Sequence, residues 1–167
     1  MLIYNPAYDV YHTMFRVLQL LDKMGEQVEI EKIRILDFYL VFPSELLEIK
    51  SFRGFRKYAK YLNEEVNKYE RVINAKRLFY KMESIQLEAI KGLISYGLLD
   101  SEAFKNGRLQ RTSLEVSDEL NSQIKDANSR NMNLISLLTG PLASIDLYGR
   151  LGLKERTNLL EFKYDAV

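Results

Sequence analysis

The residues of this chain that could do chemistry are few, and each is weaker than its type suggests. His12 is the only histidine in 167 residues. Imidazole is a common general base, but a working base is oriented by a second group, and Tyr8 and Arg16 stand at i−4 and i+4 where a carboxylate would help. His12 therefore reads as a packed or surface side chain. Glu64-Glu65 and Asp118-Glu119 place carboxylates side by side, yet glycosidase chemistry needs a fixed separation across a cleft, so these pairs read as solvated helix faces. The chain has no cysteine. Thiolate catalysis, iron–sulfur clusters and Cys-based zinc sites are excluded, and one imidazole cannot build a multi-histidine metal site. The phosphate-cradling loop, the Gly-x-Ser-x-Gly elbow and His-Glu-x-x-His do not occur, and Gly149-Arg150-Leu151-Gly152 is too short for a dinucleotide fingerprint. The expectation is a protein that is not an enzyme, with no cofactor, no metal and no small-molecule substrate.

Charge is the chemistry that remains. The formal net charge is +1, which argues against attraction of the whole surface to nucleic acid or membrane. That total conceals a basic middle. Between Lys50 and Lys81 lie ten Lys and Arg against three Glu, an excess of seven positive charges, which leaves about −6 for the remainder. Phe52, Phe55, Tyr58, Tyr61, Tyr69, Phe79 and Tyr80 are interleaved with those bases, a mixture that can track phosphates and stack on bases. The plainer reading is a solvated connector whose aromatics dock on a neighbouring core. Within it, Arg53, Arg56, Lys57 and Lys60 form the tightest cluster, and they are the candidate contact to DNA phosphate or to an acidic partner surface.

The elements that must position this segment are mostly helical. At 19.6 kDa and 47% apolar residues the chain supports one ordinary core. Asn5-Pro6 offers a cap and a first-turn proline for a helix whose face is Val10, Met14, Val17, Leu21 and Met24 with Leu18, stopped at Gly25. Ile33, Leu36 and Leu40 mark a second helix that must end before Pro43, and Ser44 to Ile49 a short third. Ser84 is expected to cap a helix with the face Ile85, Leu87, Ile90, Leu93 and Ile94, ended by Gly97 with Leu98 as its apolar contact. Asn106-Gly107 predicts a β-hairpin over Leu98 to Gln110, and Thr112 with Glu115 has capping-box spacing for the next helix, faced by Leu120, Ile124 and Ala127. Asn133 to Leu138 reads as a short helix stopped by Gly140-Pro141, Pro141 as the start of another through Ile145 and Tyr148, and Leu160, Phe162 and Tyr164 as a half-buried strand. The order helix, glycine stop, hairpin, capped helix predicts a helix-rich α+β, winged-helix-like fold, with two winged-helix halves as one version of it. The expected division is an N-terminal helical half at 1–49, a basic and aromatic connector at 50–82, and a winged-helix half at 83–167.

The run Phe38 to Phe42 reads as core between two layers, the competing reading being an exposed partner patch. Met1 to Pro6 shows no charged leader, and no segment approaches the roughly 18 apolar residues of a membrane span. A soluble, cytoplasmic protein without membrane contact is expected.

Three blocks carry a family resemblance: Tyr4-Asn5-Pro6-Ala7-Tyr8-Asp9-Val10-Tyr11-His12, Arg34-Ile35-Leu36-Asp37-Phe38-Tyr39-Leu40-Val41-Phe42-Pro43, and Tyr148-Gly149-Arg150-Leu151-Gly152-Leu153-Lys154-Glu155-Arg156-Thr157. They resemble the middle components of bacterial ABC-three-component systems, which overlap with Lamassu-type defence systems. The resemblance implies a small non-enzymatic subunit that works beside an SMC-like (Rad50-like) ATPase and an effector, often a nuclease, against phage or plasmids. It would bind near the ATPase head and connect DNA sensing to effector control. The alternative from the residues themselves is a free-standing winged-helix DNA-binding transcriptional regulator, reading DNA through the basic middle and the hairpin.

Overall fold

The computed structural model describes residues 4–25 and 27–161. Among them are eight α-helices and two strands of two residues each, so the chain is helix-rich with a small β component. Helix α1 (Val10–Asp22) opens at Asp9, whose carboxylate accepts the His12 N–H at 2.8 Å. The expected cap, Asn5, serves instead a separate 3-10 turn, Pro6–Tyr8, by accepting the Ala7 N–H at 3.0 Å. The helix ends at Lys23 rather than Gly25, which is not in the left-handed region.

From Arg16 to Leu21 every residue of α1 is buried, so this helix has no outer face there. Strand β1 (Val28–Glu29) leads into α2 (Ile30–Val41), which is likewise buried throughout Lys32 to Tyr39 and ends before Pro43 as expected. Phe38 and Tyr39 are fully enclosed and Leu40 and Phe42 half-buried, which supports the core reading of this aromatic block. A 3-10 turn, Pro43–Glu48, takes the place of the short helix predicted there.

The second half of the molecule departs further from expectation. Helix α4 (Ala75–Ser95) follows the one-turn-and-a-half α3 (Ala59–Glu64) and starts at Asn74, whose side chain accepts the Arg77 N–H at 3.0 Å. Ser84 lies in its middle. The long helix thus takes in the end of the basic segment. Its C-terminus is as predicted: Gly97 has φ +76, its N–H donates to the Ile94 carbonyl at 2.9 Å, and the Leu98 N–H donates to Leu93 at 3.0 Å. Those two bonds satisfy carbonyls that the helix end would otherwise orphan.

The predicted hairpin forms only at its base, where Leu99 bridges Arg111 antiparallel and the Asp100 N–H donates to the Gln110 carbonyl at 2.9 Å, and not at its predicted turn. Asp100 caps a five-residue helix, α5 (Ser101–Lys105), and Asn106 keeps φ −92 while Gly107 takes φ +74. A two-residue type I′ turn needs positive φ at both positions, so Asn106-Gly107 ends a helix instead of reversing a hairpin. Strand β2 (Arg108–Leu109) then pairs antiparallel with β1, Val28 facing Leu109 and Glu29 facing Arg108. Thr112 bonds the Gly97 carbonyl and the Leu114 N–H, and the cap of α6 (Asp118–Arg130) is Ser117, which accepts from Leu120.

Helix α7 (Met132–Leu137) continues through a single π turn, Leu138–Leu142, that includes Pro141, and no helix runs on through Ile145 and Tyr148. A last short helix, α8 (Leu153–Thr157), closes the described chain. Phe162 and Tyr164 of the expected terminal strand lie outside the described residues.

Buried apolar side chains from Ala7 to Leu159 belong to one cluster, with Leu20, Phe38, Phe79, Met82 and Ile90 among its fully enclosed members. At about 1.5–3 kcal/mol for each large apolar side chain removed from water, this cluster is the main source of stability. Helices α1, α2 and α4 meet at its centre.

Candidate functional site

The four cations singled out by charge lie in the short segment around Gly54 and α3. Gly54, at φ +89, turns the chain into a 3-10 turn, Phe55–Tyr58, that runs directly into α3. Arg53 stands just before Gly54, Arg56 and Lys57 lie in that turn and Lys60 lies in α3, and all four are exposed, making a cationic stripe along the chain. The alternate positions point inward: Phe52, Tyr58 and Leu62 are buried, and Phe55 and Tyr61 are half-buried. The Phe52 and Phe55 rings meet edge to face at 5.1 Å. Burial and the nearby Glu65 raise the Tyr61 hydroxyl above the usual tyrosine range.

Aromatic interleaving at this stripe is therefore a device for anchoring it, not a stacking surface. Lys60 lies 4.0 Å from Glu64 and the Lys57 ammonium 5.8 Å from the Tyr58 ring centroid. Among the described residues no acid pairs with Arg53, Arg56 or Lys57. The stripe is held from behind by two contacts. Arg156 donates to the Ser51 carbonyl at 2.9 Å, and Gly54 packs under Pro141 of the π turn.

Three polar clusters lie outside this stripe, and sequence reasoning found none of them. In the first, Arg16 Nε donates to Asp37 Oδ1 at 2.5 Å and its Nη1 to the Pro6 carbonyl at 3.0 Å. Gln86 of α4 donates to Asp37 Oδ2 at 2.9 Å and accepts from Arg34 Nε at 3.0 Å. Arg34 also faces Glu83 at 2.9 Å and lies over the Phe79 ring at 4.7 Å. Burial pulls the Arg34 guanidinium below its ordinary range, against the opposing fields of Glu83 and Glu31. The second cluster is an amide pair: Gln19 Nε2 donates to Asn128 Oδ1 at 3.1 Å, tying α1 to α6. The third pins the segment before α4, where Glu45 accepts from Arg71 at 3.3 Å and from the Val72 N–H at 3.0 Å. A polar residue inside an otherwise apolar helical stripe, such as Arg16 beside Val17, is the signal that could have found the first.

A groove of about 670 Å³ runs over Arg34, Glu83, Glu31 and Tyr148. Its three acids are already paired, Glu29 with Lys32 at 3.8 Å, Glu31 with Lys154 at 3.1 Å and Glu83 with Arg34, so it offers no free carboxylate set. Among the described residues no group of His, Asp and Glu could hold a metal ion, and no helix is long and apolar enough to cross a membrane. His12 is exposed and shares a hydrogen bond with the Tyr4 hydroxyl, with no carboxylate on its ring.

The anchored cationic stripe is the setting for the family match. The model of the ABC-three component (ABC-3C) system Middle Component 5 family matches residues 2–165. The chain belongs to this family. No curated protein and no solved structure matches it. As a Middle Component 5 protein it is one component of a multi-subunit ABC-three-component defence system, in agreement with the resemblance carried by its opening, central and closing blocks.

Proposed function

We propose that this middle component is a non-catalytic accessory subunit acting in the cytoplasm, which bridges an SMC/Rad50-like ATPase and a nuclease-type effector in a Lamassu-like system. ATP hydrolysis and strand cleavage belong to the partners. The observation that supports this reading is the anchored stripe of Arg53, Arg56, Lys57 and Lys60, whose cations are exposed and mostly unpaired while its aromatics are committed to the core. Such a surface suits contact by charge, with the acidic face of a partner subunit or with DNA phosphate held by the complex. The order of α4, its glycine stop and the returning strand β2 supports a winged-helix-like derivation, with α5 standing where a wing would turn.

The free-standing regulator is the weaker reading, because α5 replaces the hairpin tip that would enter a groove. Co-expression of the tagged chain with the products of its neighbouring genes tests the choice. Co-purification of the ATPase and effector, weakened by charge reversal at Arg56 and Lys57, is the expected result. Tight, salt-sensitive duplex binding by the isolated chain, with no partner retained, would favour the regulator.

A further inference from the structure

The basic segment does not end at the stripe just described. It continues onto the outer face of α4, and there the aromatics point the other way. Lys76, Arg77, Tyr80 and Lys81 are all exposed, and their spacings of three, four and five place them along one side of the first two turns. Tyr80 is 74% exposed, whereas Phe79, its neighbour, is buried in the core. The segment that leads into the helix adds Lys68 and Tyr69, the latter 93% exposed.

That segment is not loose. Asn67 accepts the Tyr69 N–H at 3.0 Å, Ser44 Oγ donates to the Glu70 carbonyl at 2.9 Å, and Arg71 reaches Glu48 at 2.8 Å. A large ring is thus presented to solvent from a backbone tied down on both sides. Among the described residues no acid pairs with Lys68, Lys76, Arg77 or Lys81. The first turn of α4 holds no acid, although the helix dipole favours anions there, and it carries Lys76 and Arg77 instead. Cations placed against the dipole leave an unbalanced positive field that a polyanion would neutralise.

We propose that the outer face of the first two turns of α4, with Lys68 and Tyr69, binds single-stranded nucleic acid, its cations holding phosphates and Tyr69 and Tyr80 stacking on bases. The choice of occupant rests on the two exposed rings. An acidic protein surface would be served by the cations alone, and a duplex hides its base faces, whereas an unpaired strand offers phosphates and base faces together. The inference does not depend on the bridging role, since it concerns different residues from the Arg53 to Lys60 stripe.

The test is fluorescence anisotropy with the intact chain and a labelled oligothymidylate of about 16 nucleotides, the upper end of single-module site sizes. An abasic oligomer and a duplex of equal length serve as competitors. Binding should strengthen as salt is lowered, and the abasic oligomer and the duplex should compete poorly. Tyr69→Ala and Tyr80→Ala should each weaken binding about tenfold, the loss of one stacked base, while Tyr80→Phe retains it. Lys76→Gln and Lys81→Gln should each flatten the salt dependence by about 0.7 in log–log slope. No binding at low salt, equal competition by the abasic oligomer or the duplex, or unaltered affinity in both alanine variants would overturn the proposal. The abasic comparison uses the unaltered protein, so it holds even where a variant folds poorly.

Discussion

Arg16 of α1 and Asp37 of α2 form a buried ion pair, Nε to Oδ1 at 2.5 Å, in which both side chains are almost wholly removed from solvent. The carboxylate is shared with Gln86 of α4, so one acid links all three central helices. Breaking such a pair from one side strands a charge in the core. Asp37→Ala should therefore cost about 3–5 kcal/mol in denaturant unfolding, far more than the hydrogen bonds alone would suggest. Replacing both partners together with apolar residues of similar volume should recover much of that loss. Equal losses in the single and double variants would show that packing, and not the stranded charge, carries the effect.

Gly54 is the second position where a small change should be costly. It combines φ +89 with a close neighbour: an added Cβ would stand 3.1 Å from Cβ and Cγ of Pro141. Gly54→Ala should lose about 1–2 kcal/mol from backbone strain, with crowding of the π turn in addition. Gly25→Ala is the matched control, since nothing lies within 4 Å of its Cβ position and its φ is not left-handed. Thermal melting of the two variants should separate them clearly, with Gly25→Ala at or slightly above the parent.

Local signals in the sequence were legible where the decisive partners lie within a few residues. The Gly97 stop is set by Leu93, Ile94 and Leu98, all within five residues, and it stands as expected. Pro43 limits α2 for the same reason. Capping was less legible because several residues compete for one helix: Thr112 has suitable spacing, but its hydroxyl is engaged by Gly97 and Leu114, and Ser117 takes the cap. Asn106-Gly107 failed because Asp100 nucleates a helix immediately before it. What covers an apolar face could not be read at all. The β1 and β2 pairing and the Gln19 to Asn128 contact each join positions about eighty or more residues apart. The stripe was legible as charge, since Arg53, Arg56, Lys57 and Lys60 are local. Its inward aromatics depended on that unread core.

Charge at the stripe should affect association and leave folding alone. Arg56→Glu with Lys57→Glu changes two exposed side chains, so the unfolding free energy should move by no more than surface substitutions usually cause, about 0.5 kcal/mol each. Association with the partner subunits at low salt should slow by about tenfold, and the difference should shrink as salt is added. Phe52→Ala and Tyr58→Ala, on the inward side, should show the reverse pattern of lost stability. An unchanged association rate in the charge-reversed protein would reduce the stripe to a solvated face.

Tyr39 is the buried phenol expected to weaken the fold at alkaline pH. Burial, with the Glu45 carboxylate close by, pushes its phenol far above the usual value of 10.0. In the unfolded chain the same phenol ionises near its ordinary value. The native state thus holds a proton that the unfolded state releases, and stability must fall as pH rises. The contribution is intact below about pH 10 and drains away above it, with no counterpart on the acid side. Tyr61 is raised in the same direction but is only half-buried, so the larger share belongs to Tyr39. Tyr39→Phe keeps the ring and its edge contact with Phe38 at 5.3 Å while removing the titrating group. Denaturant midpoints followed from pH 7 to pH 11 should decline more steeply in the parent than in Tyr39→Phe. Parallel declines would mean that other tyrosines, and not this buried one, govern alkaline unfolding.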